Sequence, residues 1–312
     1  MDISLVIPLY NEAESLPELH SWISGVMQEN GFSYEVIFID DGSTDESWEV
    51  IKGLPEVRGI RFRRNYGKSA ALYEGFAAAE GEIVVTMDAD LQDSPEEIPE
   101  MVRMIREDGY DLVSGWKQKR KDNTLTKNLP SKLYNWAARR VTGIKLHDMN
   151  CGLKAYRKEV VKSIEVYGEM HRYIPYLAKN AGFDKIGEKP VHHQKRKYGK
   201  SKFGLERFVN GLLDLMSLSF LSRFGKKPMH FFGTSGILMF IVGFVMTVWI
   251  IAAKLIHQSQ GLRYRAVTDQ PLFYLALVAL VLGVMLFLAG FIGEIVSRNA
   301  PGRNDYNISE RL

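Results

Sequence analysis

Asp88, Asp90 and Gln92 stand at the end of the apolar run Ile83-Val84-Val85-Thr86-Met87 and bring two carboxylates and an amide to one place. In an extended chain alternate residues share a face, so Asp88 and Asp90 point the same way, and Gln92 joins them if the chain stays extended. Hard oxygen ligands in this number suit a divalent cation that carries phosphate oxygens. Mg²⁺ typically keeps several waters and takes one or two carboxylates plus substrate phosphates. Part of the acidity is structural: Asp93 or Ser94 followed by Pro95, Glu96 and Glu97 reads as a helix N-cap with proline in the first turn.

The elements that position this cluster alternate along the chain. Residues 3–9 read as an apolar strand, 14–29 as a helix, 36–39 as a strand ending in Asp40-Asp41-Gly42-Ser43, and 45–52 as a helix. A strand at 57–62, a helix at 68–79, a strand at 83–87, a helix at 95–107 and a strand at 111–114 follow. The pattern predicts an α/β domain with a mostly parallel sheet covered by helices. Ligands of such sheets sit beyond the carboxyl ends of the strands. Pro8-Leu9-Tyr10-Asn11-Glu12, Asp40-Asp41-Gly42-Ser43 and Asp88-Ala89-Asp90 therefore converge on one crevice.

Three polar clusters at three strand ends suggest a nucleotide pocket. Asp40 or Asp41 can accept from a ribose hydroxyl or a base N–H, Gly42 permits close backbone approach, and Tyr10 offers a face for base packing. Asp-Asp-Gly-Ser is also an ordinary turn. Gly67-Lys68-Ser69 imitates the end of a P-loop, but Phe62 occupies the position of the required earlier glycine, and no G-x-G-x-x-G opens a helix.

The 312 residues are 46% hydrophobic, an average that hides a division near residue 225. Residues 231–253 and 271–293 contain no Asp, Glu, Lys or Arg. Each run spans about 34 Å as a helix, against a hydrocarbon core of about 30 Å, so both can cross a bilayer. The first residues carry no basic leader with a long apolar segment, so the large N-terminal part is expected in the cytosol. Arg223, Lys226 and Lys227 before the first run and Arg298 and Arg303 after the second agree with that orientation at an inner or plasma membrane. The single Cys151 excludes an intrachain disulfide. A formal charge of +3 does not mark a nucleic-acid partner; the basic residues concentrate at 117–127 and 195–202. His192 and His193 would point to opposite faces of a strand, which disfavours a zinc site.

Ile7-Pro8-Leu9-Tyr10-Asn11-Glu12, Asp40-Asp41-Gly42-Ser43-Thr44-Asp45, Arg64-Asn65-Tyr66-Gly67-Lys68 and Asp88-Ala89-Asp90-Leu91-Gln92-Asp93 together resemble the family 2 glycosyltransferases with a GT-A (Rossmann-like) fold. More narrowly they are similar to polyprenyl-phosphate glycosyltransferases of the dolichol-phosphate mannose synthase and undecaprenyl-phosphate sugar transferase type. The similarity continues through residues 150–157 and 196–203, covers roughly residues 1–225, and suits members anchored by two spans.

The resemblance implies inverting transfer of a sugar from a nucleotide diphosphate to the phosphate of an isoprenoid lipid, undecaprenyl or dolichyl. By position, Asp90 and Gln92 would bind Mg²⁺ or Mn²⁺ with the diphosphate, and Asp88 would face the donor sugar or ribose, the two acids forming the catalytic pair. Pro8, Tyr10, Asn11, Glu12, Asp40, Asp41, Ser43, Lys68 and Ala89 would surround the nucleotide sugar. A phosphate monoester has a second pKa of about 6 and is already an anionic nucleophile at neutral pH, so no general base is required. Lys117, Lys127, Ser131, Arg196 and Lys202 are the candidates for the lipid phosphate; for Lys117 a solvated basic surface attracted to anionic lipid is the competing reading. His171-Arg172-Tyr173-Ile174-Pro175 matches the family's region near the donor sugar.

The expected organisation is a cytosolic GT-A catalytic domain at 1–202, interfacial amphipathic helices at 203–228 and a two-span membrane region with a short cytosolic tail at 229–312. Membrane lipid is an expected partner, and a homo-oligomer, plausibly a tetramer, is the expected assembly. A processive polysaccharide synthase would share the Asp-x-Asp domain and the spans but is expected to carry Gln-x-x-Arg-Trp, which is absent. A non-catalytic nucleotide-sugar sensor would bind without turnover; nothing in the acidic cluster looks degraded.

Overall fold

Strand β1 (Ile3–Leu9) is buried at all seven positions, which a strand achieves only in the middle of a sheet with helices on both faces. It pairs in parallel with β2 (Tyr34–Asp40) on one side and β4 (Ile83–Thr86) on the other, and β2 pairs in parallel with β3 (Val57–Phe62). The computed structural model describes residues 1–118, 143–194, 197–198, 220, 228–261, 265–298 and 308–311.

Helices α1 (Leu16–Glu29), α2 (Ser47–Gly53), α3 (Lys68–Ala78) and α4 (Ile98–Arg106) connect and cover these strands. On one face Leu5, Ile7, Phe38 and Val85 meet Leu19 and Ile23 of α1, Trp48 of α2 and Met101 and Ile105 of α4 in one core. On the other, α3 sits close because its contact residues are small. A Cβ on Gly75 would come within 2.9 Å of the Ile39 side chain.

The sheet is mostly parallel, as expected, and two antiparallel strands, β6 (Lys154–Arg157) and β8 (Ile308–Arg311), make it mixed. β6 inserts between β4 and β5 (Leu112–Trp116), and β7 (Ile186–Pro190) runs parallel to β5. The strand order is β7-β5-β6-β4-β1-β2-β3-β8. Order therefore reverses between β1 and β4, and a crevice opens there at the carboxyl ends of the strands. Helices α5 (Lys158–Ser163) and α6 (Ile174–Asn180) follow β6, with a 3₁₀ turn at Met170–Tyr173.

Apart from shifts of one or two residues at other element ends, the sequence expectation is corrected around the acidic loop. β4 stops at Thr86, so the chain carrying Asp88 and Asp90 is loop, not strand. The helix expected at 95–107 divides into a 3₁₀ turn at Pro95–Glu97 and α4, because Pro99 lacks an N–H to bond the Pro95 carbonyl and its ring crowds that group. The expected cap at Asp93 or Ser94 makes no side-chain capping bond, since the Asp93 carboxylate turns to Lys117 instead.

The chain divides into two units, Met1–Leu215 with Arg303–Leu312, and Met216–Gly302. The C-terminal segment belongs to the first: β8 (Ile308–Arg311) lies antiparallel on β3, and Arg311 Nη2 reaches Glu74 Oε2 at 3.1 Å. The interfacial segment expected at 203–228 lies, apart from Phe220 and Pro228, outside the described residues.

In the second unit α7 (Pro228–Ser259) and α8 (Pro271–Arg298) pack through glycine. A Cβ on Gly236 would stand 2.6 Å from the Gly283 carbonyl oxygen, and one on Gly243 would stand 2.8 Å from that of Ala276. Small residues let two helix backbones approach this closely, a packing mode suited to lipid, where no hydrophobic force drives helices together. Both helices are long and apolar enough to cross a membrane, and Trp249 (71% exposed) and Leu238 (63%) face outward. Gly236→Val should destabilise the pair by about 1–3 kcal/mol through overpacking. Thermal unfolding of the detergent-solubilised protein checks this, and an unchanged midpoint would show that the backbones are not in contact there.

Candidate active site

The parallel register aligns Leu9 with Asp40 and Val6 with Thr86, so the loops after β1, β2 and β4 emerge side by side. The first two are stitched together by the residues expected at the nucleotide. Asn11, at φ 56°, donates its N–H to Ser43 Oγ (2.9 Å), and its Oδ1 accepts from Thr44 N (2.8 Å). Glu12 N donates to Ser47 Oγ (3.0 Å). Asp40 is 0% exposed; its Oδ1 accepts from Ser43 N at 2.7 Å, and Arg61 Nε lies 3.5 Å from Oδ2. Gly42 adopts φ 71°, and a Cβ there would fall 2.7 Å from Arg64 Cα, so the turn needs glycine for both shape and space.

Asp41 reaches the other way and ties in the loop before α3, accepting from Tyr66 N (2.7 Å) and Gly67 N (2.9 Å). Burial, assisted by the neighbouring Asp40 charge, pushes its carboxyl up to about 6 against the pull of those two N–H groups. Asp40, Asp41 and Ser43 thus hold the rim of the crevice in shape. Tyr10 and Glu12 are half-buried on that rim, and Ala89 is buried in the core.

Asp88 forms the centre of the site. Its carboxylate meets the Lys68 ammonium at the first turn of α3. Against burial, which would raise it, the charges of Lys68, Lys117 and Lys154 hold the Asp88 carboxyl well below the usual carboxylate range. Asp88 is therefore ionised throughout the physiological range and only weakly basic, which suits it to bind and orient rather than to take up a proton.

A cavity of about 290 Å³ opens beside it, lined by Pro8, Lys68 and Asp88 together with Asn150, Gly152, Lys154, Glu169, His171 and Arg172. The antiparallel pairing of Thr86 with Lys154 carries these later residues to the end of β4, and Thr86 Oγ1 donates to the Gly152 carbonyl at 2.9 Å. Gly152 is required: a Cβ there would lie 2.6 Å from Asp88 Oδ2.

His171 N donates to Ser69 Oγ (3.0 Å), whose hydroxyl in turn faces His171 Nδ1 at 3.1 Å. Burial and the cations Lys68, Arg172 and Lys154 push this imidazole well below its ordinary value, so it is neutral. Cys151 is buried, which pushes its thiol up to about 12 and excludes it as a nucleophile at neutral pH.

Asp90 and Gln92 lie outside this cavity. With β4 ended at Thr86, strand alternation does not govern the loop, and of the three expected residues only Asp88 lines the cavity. Asp90 Oδ1 accepts from Gln92 N (3.2 Å), and Gln92 Nε2 donates to the Gln194 carbonyl (3.4 Å), which turns the amide oxygen away from that contact. No cluster of three or more acidic, histidine or cysteine ligands occurs among the described residues. A carboxylate and an amide oxygen, both half-buried, fit a cation that draws its other ligands from phosphate and water.

Of the residues expected at the lipid phosphate, Lys117 is turned inward: its side chain is 12% exposed, its Nζ lies 2.7 Å from Asp93 Oδ1, and that carboxylate keeps it protonated despite burial. Lys127, Ser131, Arg196 and Lys202 lie outside the described residues. Sequence reasoning assigned no role to Asn150, Gly152, Lys154 or Glu169. The one signal was the matched segment at 150–157, whose strand character sets it opposite β4.

A parallel sheet reversing between β1 and β4, with an acidic loop at that point, defines a GT-A-type glycosyltransferase fold. Glucosyl-3-phosphoglycerate synthase from Mycobacterium tuberculosis, solved with Mn²⁺ and UDP-glucose, shares it at a TM-score of 0.54 and 21% identity, over 69% of this chain and 80% of that one. The chain belongs to glycosyl transferase family 2, whose model matches residues 4–165, and within it to the polyprenyl-phosphate sugar transferase type. It is 33% identical over 305 residues to the dodecaprenyl-phosphate galacturonate synthase of Rhizobium johnstonii, covering 96% of this chain and 88% of that one. It is 35% identical over 301 residues to the undecaprenyl-phosphate 4-deoxy-4-formamido-L-arabinose transferase of Aeromonas hydrophila, covering 95% and 88%.

Two outcomes are expected from the site geometry. Gly152→Ala should displace the Asp88 carboxylate and lower kcat by at least about tenfold without unfolding the protein, as measured by turnover and circular dichroism. Because Asp41 is raised in the fold, the stability it contributes is complete below its ordinary 3.8 and is lost as pH rises through about 6. In denaturant titrations the advantage of wild type over Asp41→Asn should therefore shrink between pH 4 and pH 7; a constant difference would place Asp41 in an unburied setting.

Proposed function

We propose that the protein transfers a sugar from a nucleotide diphosphate donor to the phosphate of a polyprenyl lipid, undecaprenyl or dolichyl, with inversion at the anomeric carbon. The observation that carries this is the extent of the similarity to two polyprenyl-phosphate transferases, which runs over 95–96% of the chain and includes both apolar helices. The protein associates with the inner or plasma membrane through α7 and α8, and its catalytic unit is cytosolic. Their outward apolar faces offer surface for a homo-oligomer, which we propose to be a tetramer.

The nucleotide sits over the rim built by Tyr10, Asn11, Glu12, Asp40, Asp41 and Ser43, and the sugar reaches toward Asp88. Asp90 and Gln92 would hold the divalent cation, Mg²⁺ or Mn²⁺, which when bound neutralises the charge developing on the leaving diphosphate. Asp88, ionised and pinned by Lys68, accepts hydrogen bonds from donor hydroxyls and fixes the sugar's orientation. The acceptor's phosphate oxygen attacks without a base, since it is already anionic. With Lys117 committed to Asp93, Lys127, Ser131, Arg196 and Lys202 are the remaining candidates of that set for the acceptor phosphate.

Purified protein with Mg²⁺ or Mn²⁺ should move labelled sugar onto undecaprenyl or dolichyl phosphate, recovered in the organic phase. Asp90→Asn should lower this transfer by about 100-fold or more while the protein stays folded. Label that remains water-soluble with every donor would refute the reaction, and normal turnover of the variant would remove Asp90 from the site.

A further inference from the structure

The cavity beside Asp88 carries a cation that the mechanism above does not use. Its walls hold Lys68, Lys154 and Arg172 against Asp88 and Glu169. Lys68 is taken up by Asp88, and Arg172 Nη2 lies 3.3 Å from Glu169 Oε2, on a carboxylate that is itself half-exposed. Lys154 has no such counterpart. It is 3% exposed, its Nζ donates to the Cys151 carbonyl, and no carboxylate of the described residues lies within ion-pair distance.

An ammonium buried without an ion-pair partner is costly, and although the fields of Asp148 and Asp88 offset part of that cost, burial together with the nearby Lys68 pushes Lys154 below its ordinary range. An anion arriving in the cavity removes that cost, so the space is complementary to negative charge. Asn150 adds a second open demand in the same wall: its Oδ1 is buried and has no donor among the described residues. A hydroxyl beside the anion would satisfy it.

We propose that this cavity is an oxyanion subsite in which Lys154 and Arg172 receive an anionic group carried by a substrate at its reacting end. Two sources share that chemistry, a carboxylate on the transferred sugar and the phosphate of the acceptor. The subsite is separate from the donor's diphosphate, which the reading above assigns to Asp90 and Gln92, and neither of those residues lines the cavity. The inference rests on the transfer reaction proposed above.

The test is calorimetric binding to the full-length protein in nanodiscs with Mg²⁺, for wild type, Lys154→Met and Arg172→Gln. The probes are UDP, UDP-glucose, UDP-glucuronate, UDP-galacturonate, undecaprenyl phosphate and undecaprenol. Each variant should weaken the anionic probe by about tenfold or more, the magnitude of one lost charge-assisted hydrogen bond, with UDP affinity unchanged as the control for folding. If the carboxylate is the source, wild type prefers the uronates to UDP-glucose and the variants erase that preference. If the acceptor is the source, the loss falls on undecaprenyl phosphate and is absent for undecaprenol.

Equal affinities for acidic and neutral donors, together with unaltered undecaprenyl phosphate binding in both variants, would overturn the proposal. Should Lys154→Met lose UDP binding as well, Lys154→Arg and Arg172→Gln decide: the first should retain the anionic probe and the second should lose it. Binding losses as expected, without lipid-linked product from any donor, would refute the transfer reaction while leaving the subsite standing.

Discussion

A carboxylate held at a sheet edge inside a closed crevice must be balanced by charge, and the balance at Asp88 governs the arrangement around it. Lys68 meets it from the first turn of α3, and Lys117 and Lys154 add their fields from the end of β5 and from β6. Lys154 is available only because β6 runs antiparallel beside β4 and returns residues 150–154 to the same end of the sheet. Gly152 then completes the fit by leaving out the one carbon that would strike the carboxylate. The mixed topology is thus the means by which a late segment of the chain reaches a loop encoded some sixty residues earlier.

The rim of the crevice follows a different principle. Its residues are held mostly by backbone N–H groups rather than by opposite charges: Asp40 accepts from Ser43, Asp41 from Tyr66 and Gly67, and Asp45 from Ser47 and Ala13. Each carboxylate fixes one loop relative to another, so three loops move as one body and present Tyr10 and Glu12 on a firm edge. The same acids can be both pins of the fold and neighbours of a nucleotide, because a buried carboxylate with several lone pairs accepts more than one donor. The two principles divide the site into a rim pinned by backbone hydrogen bonds and a floor balanced by opposite charges.

Much of this was legible in the chain. The strands at 3–9 and 57–62 match to the residue, the first because a largely apolar run bounded by turn residues leaves little freedom. The convergence of the loops after β1, β2 and β4 followed from parallel pairing alone. What could not be read was what depends on contacts between distant segments. Strand alternation suggested one face for Asp88 and Asp90, yet β4 ends two residues before Asp88 because Met87 closes the core and the chain then turns. Lys117 looked like a surface cation; its partner Asp93 lies 24 positions earlier and was assigned to a helix cap. Lys154 received no role, because only the pairing of β6 with β4 brings it to the crevice.

The edge of the sheet beyond β3 is closed by β8, the last described strand of the chain. A ribosome makes the chain from its N-terminus, and domains generally fold as they emerge. The first seven strands are therefore complete while β3 still has an open edge, and the strand that covers it is synthesised only after both apolar helices. An uncovered edge of that kind is a template for pairing with other chains. Completion of the catalytic sheet in this way follows synthesis of the two apolar helices, and a chain that stops short of β8 keeps an open, adhesive edge at β3.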